Sequence, residues 1–469
     1  MISLTLTELA EATGGRLTAM HYASGPDHRV DGSVQTDSRL VEPGSIFVAL
    51  RGEETDGHLF AMSAASQGAA VIIAERPVDA GVPVILVADG VTALAALART
   101  VVERVRAGGD LRVIAVTGSN GKTTTKNMLR AILSEAGPTV APEGSFNNHV
   151  GAPISMLRVD ESTRYLIVEM GASHAGEIAH LVSIVRPDVG IVLAVGRAHV
   201  GEFGGIDVIA RAKAEMVVQL PATATAILNS DDRRVAAMAS QTAAGVRWFG
   251  RDEGSGLRAW NVVSSLAGTR FDLVIDDRIV AVRLQIVGEH HAMNALAALS
   301  AAQVFGVDAA DAVAALEAMP RAERWRMELL RSAAGTVIIN DAYNASPESA
   351  AAALHALVAV RPEGARSVAV LGEMTELGAS AGDEHAAIGA LAGRLGIHRL
   401  VVVGERARGI HSAVTATGGW NGTSDFVQNA DDAYGLLSGE LGPHDVVLVK
   451  SSKSANLRFL GDRLAGIAQ

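Results

Sequence analysis

A chain of 469 residues with 49% hydrophobic side chains is too long for one ordinary core and divides into about three domains. Its formal net charge of -11, the absence of a basic run and the small set of 9 Phe and 4 Tyr exclude a nucleic-acid groove, while zero cysteines exclude structural disulfides, thiol nucleophiles and Cys-ligated zinc. No basic segment leads into an apolar core at the N-terminus and no stretch reaches the roughly 18 apolar residues of a membrane span, so the expectation is a soluble, cytoplasmic chain that is not membrane-embedded.

Residues 1–88 read as a small α/β unit. Leu6, Leu9 and Ala12 repeat on a helical face that stops at Gly14 and Gly15, and VQTDSR, GSIFVAL, GAAVIIA and VPVILVA follow as a turn and short buried strands. Thr36, Asp37, Ser38 and Arg39 either hold a charged ligand or form a capped turn with a solvated arginine. A helix over 91–106 then leads through Gly108 and Gly109 into a central region, 89–320.

That region opens on VIAVTGSNGKTTTKN: a β-branched apolar run, then Thr117, Gly118, Ser119, Asn120, Gly121, Lys122, Thr123 and Thr124, then Met128, Leu129, Ile132 and Leu133 at helical spacing. Strand, phosphate loop and helix follow from this order. Small residues let backbone N–H groups converge on an anion at a helix N-terminus, Lys122 adds a positive charge, and Thr123 or Thr124 offers a hydroxyl to magnesium. Val116 stands where the first glycine of G-x-x-x-x-G-K-[ST] belongs, so the match is the shorter G-x-x-G-K-T.

In the following loop, PEGSFNNHVGAP, Ser145, Asn147 and Asn148 either bind substrate or cap turns. A strand over 165–170 places Glu169 at its C-terminal end, where ligands sit in an open parallel sheet and a carboxylate has reason to meet magnesium. A third strand, 189–195, brings His199 to the same edge, as a ligand or as a hydrogen-bonded loop histidine. Lys213 and Glu215 lie on a helix over 206–220; by position alone such a pair is usually a solvated face. His290 and Asn294, four apart at the start of an apolar helix, share a face and reach a nucleotide base or cap the helix.

Pro320 breaks the chain into a last region, 321–469, in which strands alternate with helices beginning near Ser346, Asp383, Glu405, Asp431 and Asn456, the order of a parallel sheet covered by helices. From these residues alone, the chain is an enzyme that transfers or cleaves a γ-phosphate with magnesium, its acceptor open.

Nine segments in order, TGSNGKTTTKN, GSFNNHVGAP, VEMGASHAGEI, AVGRAHVGEFGG, ARAKAE, GEHHAMNALAA, NDAYNASPES, LGEMTELG and VKSSKSAN, resemble the Mur ligase superfamily along essentially the whole chain. The resemblance implies an α/β protein of three domains: a small N-terminal α/β domain (1–88) for the UDP end of the substrate, a central P-loop ATPase-like parallel-sheet domain (89–320), and a C-terminal Rossmann-like domain (321–469). It implies ATP and two magnesium ions as cofactors. Thr36, Asp37, Ser38 and Arg39 would lie on the uridine side, and Asn147 and Asn148 would contact the muramoyl-peptide. Lys122 would hold the β- and γ-phosphates, Thr123 and Glu169 one magnesium, and His199 with a carbamylated Lys213 the second. His290 and Asn294 would face adenine, Arg324 or Arg326 the phosphates, Asp341 the ribose, and Tyr343 and Asn344 would lie next to the ATP and dipeptide sites.

The AYNASP and GEMTELG forms resemble members that add a dipeptide, so the implied reaction joins D-alanyl-D-alanine to UDP-N-acetylmuramoyl-tripeptide in peptidoglycan precursor synthesis, by a monomer. Two departures stand out: the family's usual K-G-S is Lys450, Ser451, Ser452, and its N-A-N-P is NASP with Ser346.

Overall fold

The apolar run 113–116 lies on an interior strand, third from one edge of a nine-stranded sheet, in the computed structural model, which describes residues 1–18, 25–52, 55–198, 200–275 and 278–467. From one edge the strands run Thr139–Val140, Tyr165–Glu169, Arg112–Thr117, Val189–Val192, Thr225–Asn229, Gly245–Gly250, Leu257–Ser265, Gly268–Ile275 and Arg278–Leu284. The first seven are parallel and the last two close an antiparallel meander. Along Arg112–Thr117 the pleat sends Val113 and Ala115 into one apolar cluster and Ile114 and Val116 into another. Both faces are covered by helices, so this strand reads as continuously apolar rather than alternating.

On one face pack the helices Gly90–Gly108, Glu177–Val185 and Ile206–Val218, through Leu94, Leu97, Leu181 and Met216. Lys122–Ala136, His290–Val304 and Ala309–Glu317 cover the other, through Met128, Leu129, Leu296 and Leu316. The helix expected over 91–106 is Gly90–Gly108, started by the Asp89 carboxylate, which accepts from Thr92 N at 2.7 Å. The one expected over 206–220 ends at Val218, because Leu220 precedes Pro221 and is barred from helical backbone. Helices Gly151–Met156, Glu177–Val185 and Ala309–Glu317 were not anticipated; all three are short, although Ile178, Leu181, Val182 and Val185 repeat at helical spacing in the second.

The N-terminal sheet has five strands, ordered Arg16–Leu17, Val84–Leu86, Val71–Ala74, Ile46–Ala49 and Val34–Gln35. A six-stranded sheet, Glu328–Arg331, Val337–Asp341, Asp445–Lys450, Arg366–Leu371, Arg399–Val403 and Thr423–Val427, is parallel apart from its first strand and forms the C-terminal part. Its helices begin close to the expected residues, but short 3-10 turns at Gly378–Ser380, Glu405–Ala407 and Lys453–Ala455 precede three of them. Ser346 starts helix Pro347–Val360 with a capping box, so the serine at this position still caps. Ser451 is fully buried against Gly372, and its backbone is not left-handed, so a side chain is accommodated at this position. No helix among the described residues is long and apolar enough to cross a membrane.

Candidate active site

The strand Arg112–Thr117 ends where the helix Lys122–Ala136 begins, and the turn between them depends on two glycines. Gly118 and Gly121 adopt φ of 150° and 86°, and a Cβ on Gly121 would stand 2.4 Å from Asn294 Oδ1. The turn is anchored from below: Ser119 N donates to Ala194 O at 2.9 Å, the Ser119 hydroxyl bonds both Gly196 O and Gly196 N, and the Thr117 hydroxyl donates to Met170 O at 2.8 Å. Lys122 Nζ donates to Gly118 O at 2.8 Å; burial lowers its pKa, Glu169 opposes this, and the Arg326 charge adds to it.

Glu169 sits at the end of the neighbouring strand, fully buried. Its Oε1 accepts from Asn147 Nδ2 at 2.7 Å and from the Thr123 hydroxyl at 3.3 Å, while Oε2 is buried with no hydrogen-bond partner. An orphaned carboxylate oxygen beside a threonine hydroxyl is a fit for a hard divalent cation, which takes few protein oxygens and completes its shell with phosphates and water. Lys213, 2% exposed on helix Ile206–Val218, has its pKa lowered to about 7, chiefly by burial and then by Lys122, with Glu215 and Glu177 opposing. Glu215 is no solvated partner: its carboxylate accepts from Gly176 N and Ala179 N at 2.6 and 3.0 Å. His199 lies outside the described residues.

Above Lys122, Thr123 and Glu169 lies a cavity of about 610 Å³, whose other wall is the C-terminal sheet edge; Lys213 does not line it. The two parts touch across the phosphate loop: the Ser346 hydroxyl to Asn120 Oδ1 at 3.3 Å, Tyr343 OH to the Ser145 hydroxyl at 2.7 Å, and Arg197 N to Glu348 at 2.8 Å. The Arg326 guanidinium stacks 4.5 Å over Tyr343 and lines the cavity. Arg324 does not; it pairs with Asp462 at 2.8 Å and lies over Trp325. Of the two expected arginines, the cavity therefore holds one.

Asp341 carries an ion pair with Lys450 at 2.7 Å and accepts from Met327 N, and Lys450 also donates to Asn344 O at 2.6 Å. His290, Asn294, Asn147, Asn148, Tyr343, Asn344 and Thr124 all line the cavity. Asn148 also caps, accepting from Gly151 N at 2.8 Å, and Asn294 bonds the buried His291. Thr36, Asp37, Ser38 and Arg39 do not line it; Asp37 accepts from Arg39 N and pairs with the exposed Arg39 guanidinium. Phe249, Asn229, Glu348 and Glu177 line the cavity without having been assigned a role; Glu177 and Glu348 fall inside the segments VEMGASHAGEI and NDAYNASPES, whereas no motif marks Phe249 or Asn229.

Residues 32–101, 116–302 and 325–453 match the Mur ligase family catalytic domain, the Mur ligase middle domain and the Mur ligase glutamate ligase domain, respectively. A Mycobacterium tuberculosis protein named UDP-N-acetylmuramoyl-tripeptide--D-alanyl-D-alanine ligase is 43% identical over 99% of this chain and 98% of its own. The chain belongs to the Mur ligase family. Among solved Mur ligases, MurF from Acinetobacter baumannii superposes with a TM-score of 0.88 at 33% identity, covering 99% of each chain. The Thermotoga maritima MurF ligase in complex with ADP superposes with a TM-score of 0.80 at 27% identity, over 93% of this chain and 97% of that one. The three family matches fall on the three sheets described above.

Proposed function

We infer that this chain is an ATP-dependent ligase joining D-alanyl-D-alanine to the terminal carboxylate of UDP-N-acetylmuramoyl-tripeptide, in the cytoplasm and as a monomer. The observation that carries this is the full-length match to ligases of that name, joined to a cavity whose walls are a phosphate loop and a second sheet edge. The reaction needs a poor electrophile activated. ATP transfers its γ-phosphoryl group to the peptide carboxylate and leaves as ADP; the neutral dipeptide amine attacks the acyl carbon, gives up its proton to a base or water, and phosphate leaves.

Loop amides 118–121 and Lys122 bind the phosphates and offset charge on the transferred group. Arg326 reaches the same phosphates from the opposite wall, and Asp341, held by Lys450, faces the ribose. His290 and Asn294 form the adenine side, and Asn294 also backs the loop at Gly121. Asn147, Asn148, Tyr343 and Asn344 orient the peptide substrates, and residues 36–39 meet the uridine end. Thr123 and Glu169 are the residues that would hold one magnesium ion, and a carbamylated Lys213 with His199 a second; bound there, the cations neutralise the phosphate oxygens. A protonated lysine cannot coordinate a cation, but burial pulls this amine's pKa down to about 7, which brings the neutral form that takes up carbon dioxide within reach near neutral pH. The hydrogen bond between Tyr343 and Ser145 joins the two walls of the cavity in which the acyl phosphate would form.

The test is phosphate release from ATP and magnesium with UDP-N-acetylmuramoyl-tripeptide, adding D-alanyl-D-alanine or single amino acids in turn. Turnover that depends on a single amino acid would overturn the assignment.

A further inference from the structure

Lys126 is 1% exposed and has no part in the chemistry described so far. It stands one helical turn beyond Lys122, and its amine donates to Pro142 O at 2.8 Å and to Gly144 O at 2.9 Å. Burial lowers its pKa, with Glu169 and Glu323 opposing. A buried ammonium costs free energy that an apolar side chain of the same length would not, so what it holds is informative.

It holds a loop with no regular structure of its own. Residues 142–149 run from the strand Thr139–Val140 to the helix Gly151–Met156, and they carry Ser145, Asn147, Asn148 and His149 into the cavity wall. The far half of the loop is tied down by Gly171 N to Asn147 O at 2.8 Å and by Asn147 to Glu169. Its near half turns at Gly144, left-handed at φ 55°, and the two carbonyls flanking Glu143 both end on Lys126.

We propose that Lys126 is a positioning residue that registers the acceptor-side loop 142–149 against the phosphate-loop helix, so that one helix sets both the nucleotide and the acceptor side of the cavity. The proposal rests on assigning this loop to the peptide acceptor. Lys122 at the start of the helix faces phosphate, and Lys126 one turn on fixes where Ser145 and Asn147 stand. Ser145 in turn receives Tyr343 from the C-terminal part, so the register extends to the opposite wall.

Lys126→Met keeps the apolar stem and removes both donors. The expected result is a KM for UDP-N-acetylmuramoyl-tripeptide raised about tenfold or more, a KM for ATP within about twofold of wild type, and faster amide hydrogen exchange across 142–149. Gly144→Ala strains the same turn, where a Cβ meets nothing within 4 Å, and should give the same split in a chain that folds. Equal rises in both KM values, or unchanged acceptor KM in Gly144→Ala, would overturn the proposal. If wild type fails to turn over the tripeptide, the assignment of function has failed; exchange in the loop still decides whether Lys126 holds it, and unchanged exchange in Lys126→Met counts against the proposal.

Discussion

Lys213→Met exchanges a buried amine for an apolar side chain of similar length, and its effect on stability can be worked out with its sign. The lysine has an ordinary pKa of 10.5 and a native one of about 7. At about 1.4 kcal/mol per unit, that drop corresponds to roughly 5 kcal/mol by which the native state disfavours the protonated amine. Below about pH 7 both states are protonated and the whole penalty is present. Between about 7 and 10.5 the unfolded chain holds more protons than the native one, so native stability rises with pH, and above this range the penalty is gone. Methionine carries neither the penalty nor the slope. In bicarbonate-free buffer, urea unfolding should find the variant more stable than wild type by up to roughly 5 kcal/mol near pH 6, and the gap should close toward about pH 10. The same variant should lose turnover, having no amine to carbamylate. A stability difference that is the same at both pH values would refute the reasoning, because it would mean that the folded protein leaves the amine as well solvated as the unfolded chain does.

Glu169→Gln keeps the shape of the side chain and removes its charge, and phosphate release should fall by about 10²–10³-fold; wild-type rates would place the cation elsewhere. Gly121→Ala puts a Cβ 2.4 Å from Asn294 Oδ1 on a backbone that costs alanine about 1 kcal/mol, so the KM for ATP should rise about tenfold, and adding Asn294→Ala should recover part of the loss. Arg326→Ala should raise the KM for ATP about tenfold with little change in stability to urea, whereas Arg324→Ala should lower the unfolding free energy by about 1 kcal/mol and leave that KM alone. The reverse pattern would exchange the two assignments.

Much of the site was legible because its chemistry is local in the chain. The small residues of 117–121, the lysine and threonines after them and the helical apolar spacing beyond sit within about four helical turns, and Glu169 was readable from its place at a strand end. Arg324 and Arg326 were not separable. Left-handed backbone at Trp325 and Met327 and a buried carboxylate 138 residues later, Asp462, turn one away and send the other into the cavity. Lys126 carries no signal in the sequence beyond its place in the phosphate-loop helix, because what buries it is a loop that folds back over that helix.

By itself the sequence determined the phosphate loop, the three α/β regions and their membership of one ligase family, since each rests on short-range pattern: apolar runs, turn residues and motifs read in order. Tertiary structure alone decided which polar groups meet. Asp341 with Lys450 and Ser145 with Tyr343 pair across long stretches of chain, and Lys126 meets the carbonyls of 142 and 144 only when the loop after its helix folds back; such meetings leave no period or spacing in the sequence to announce them.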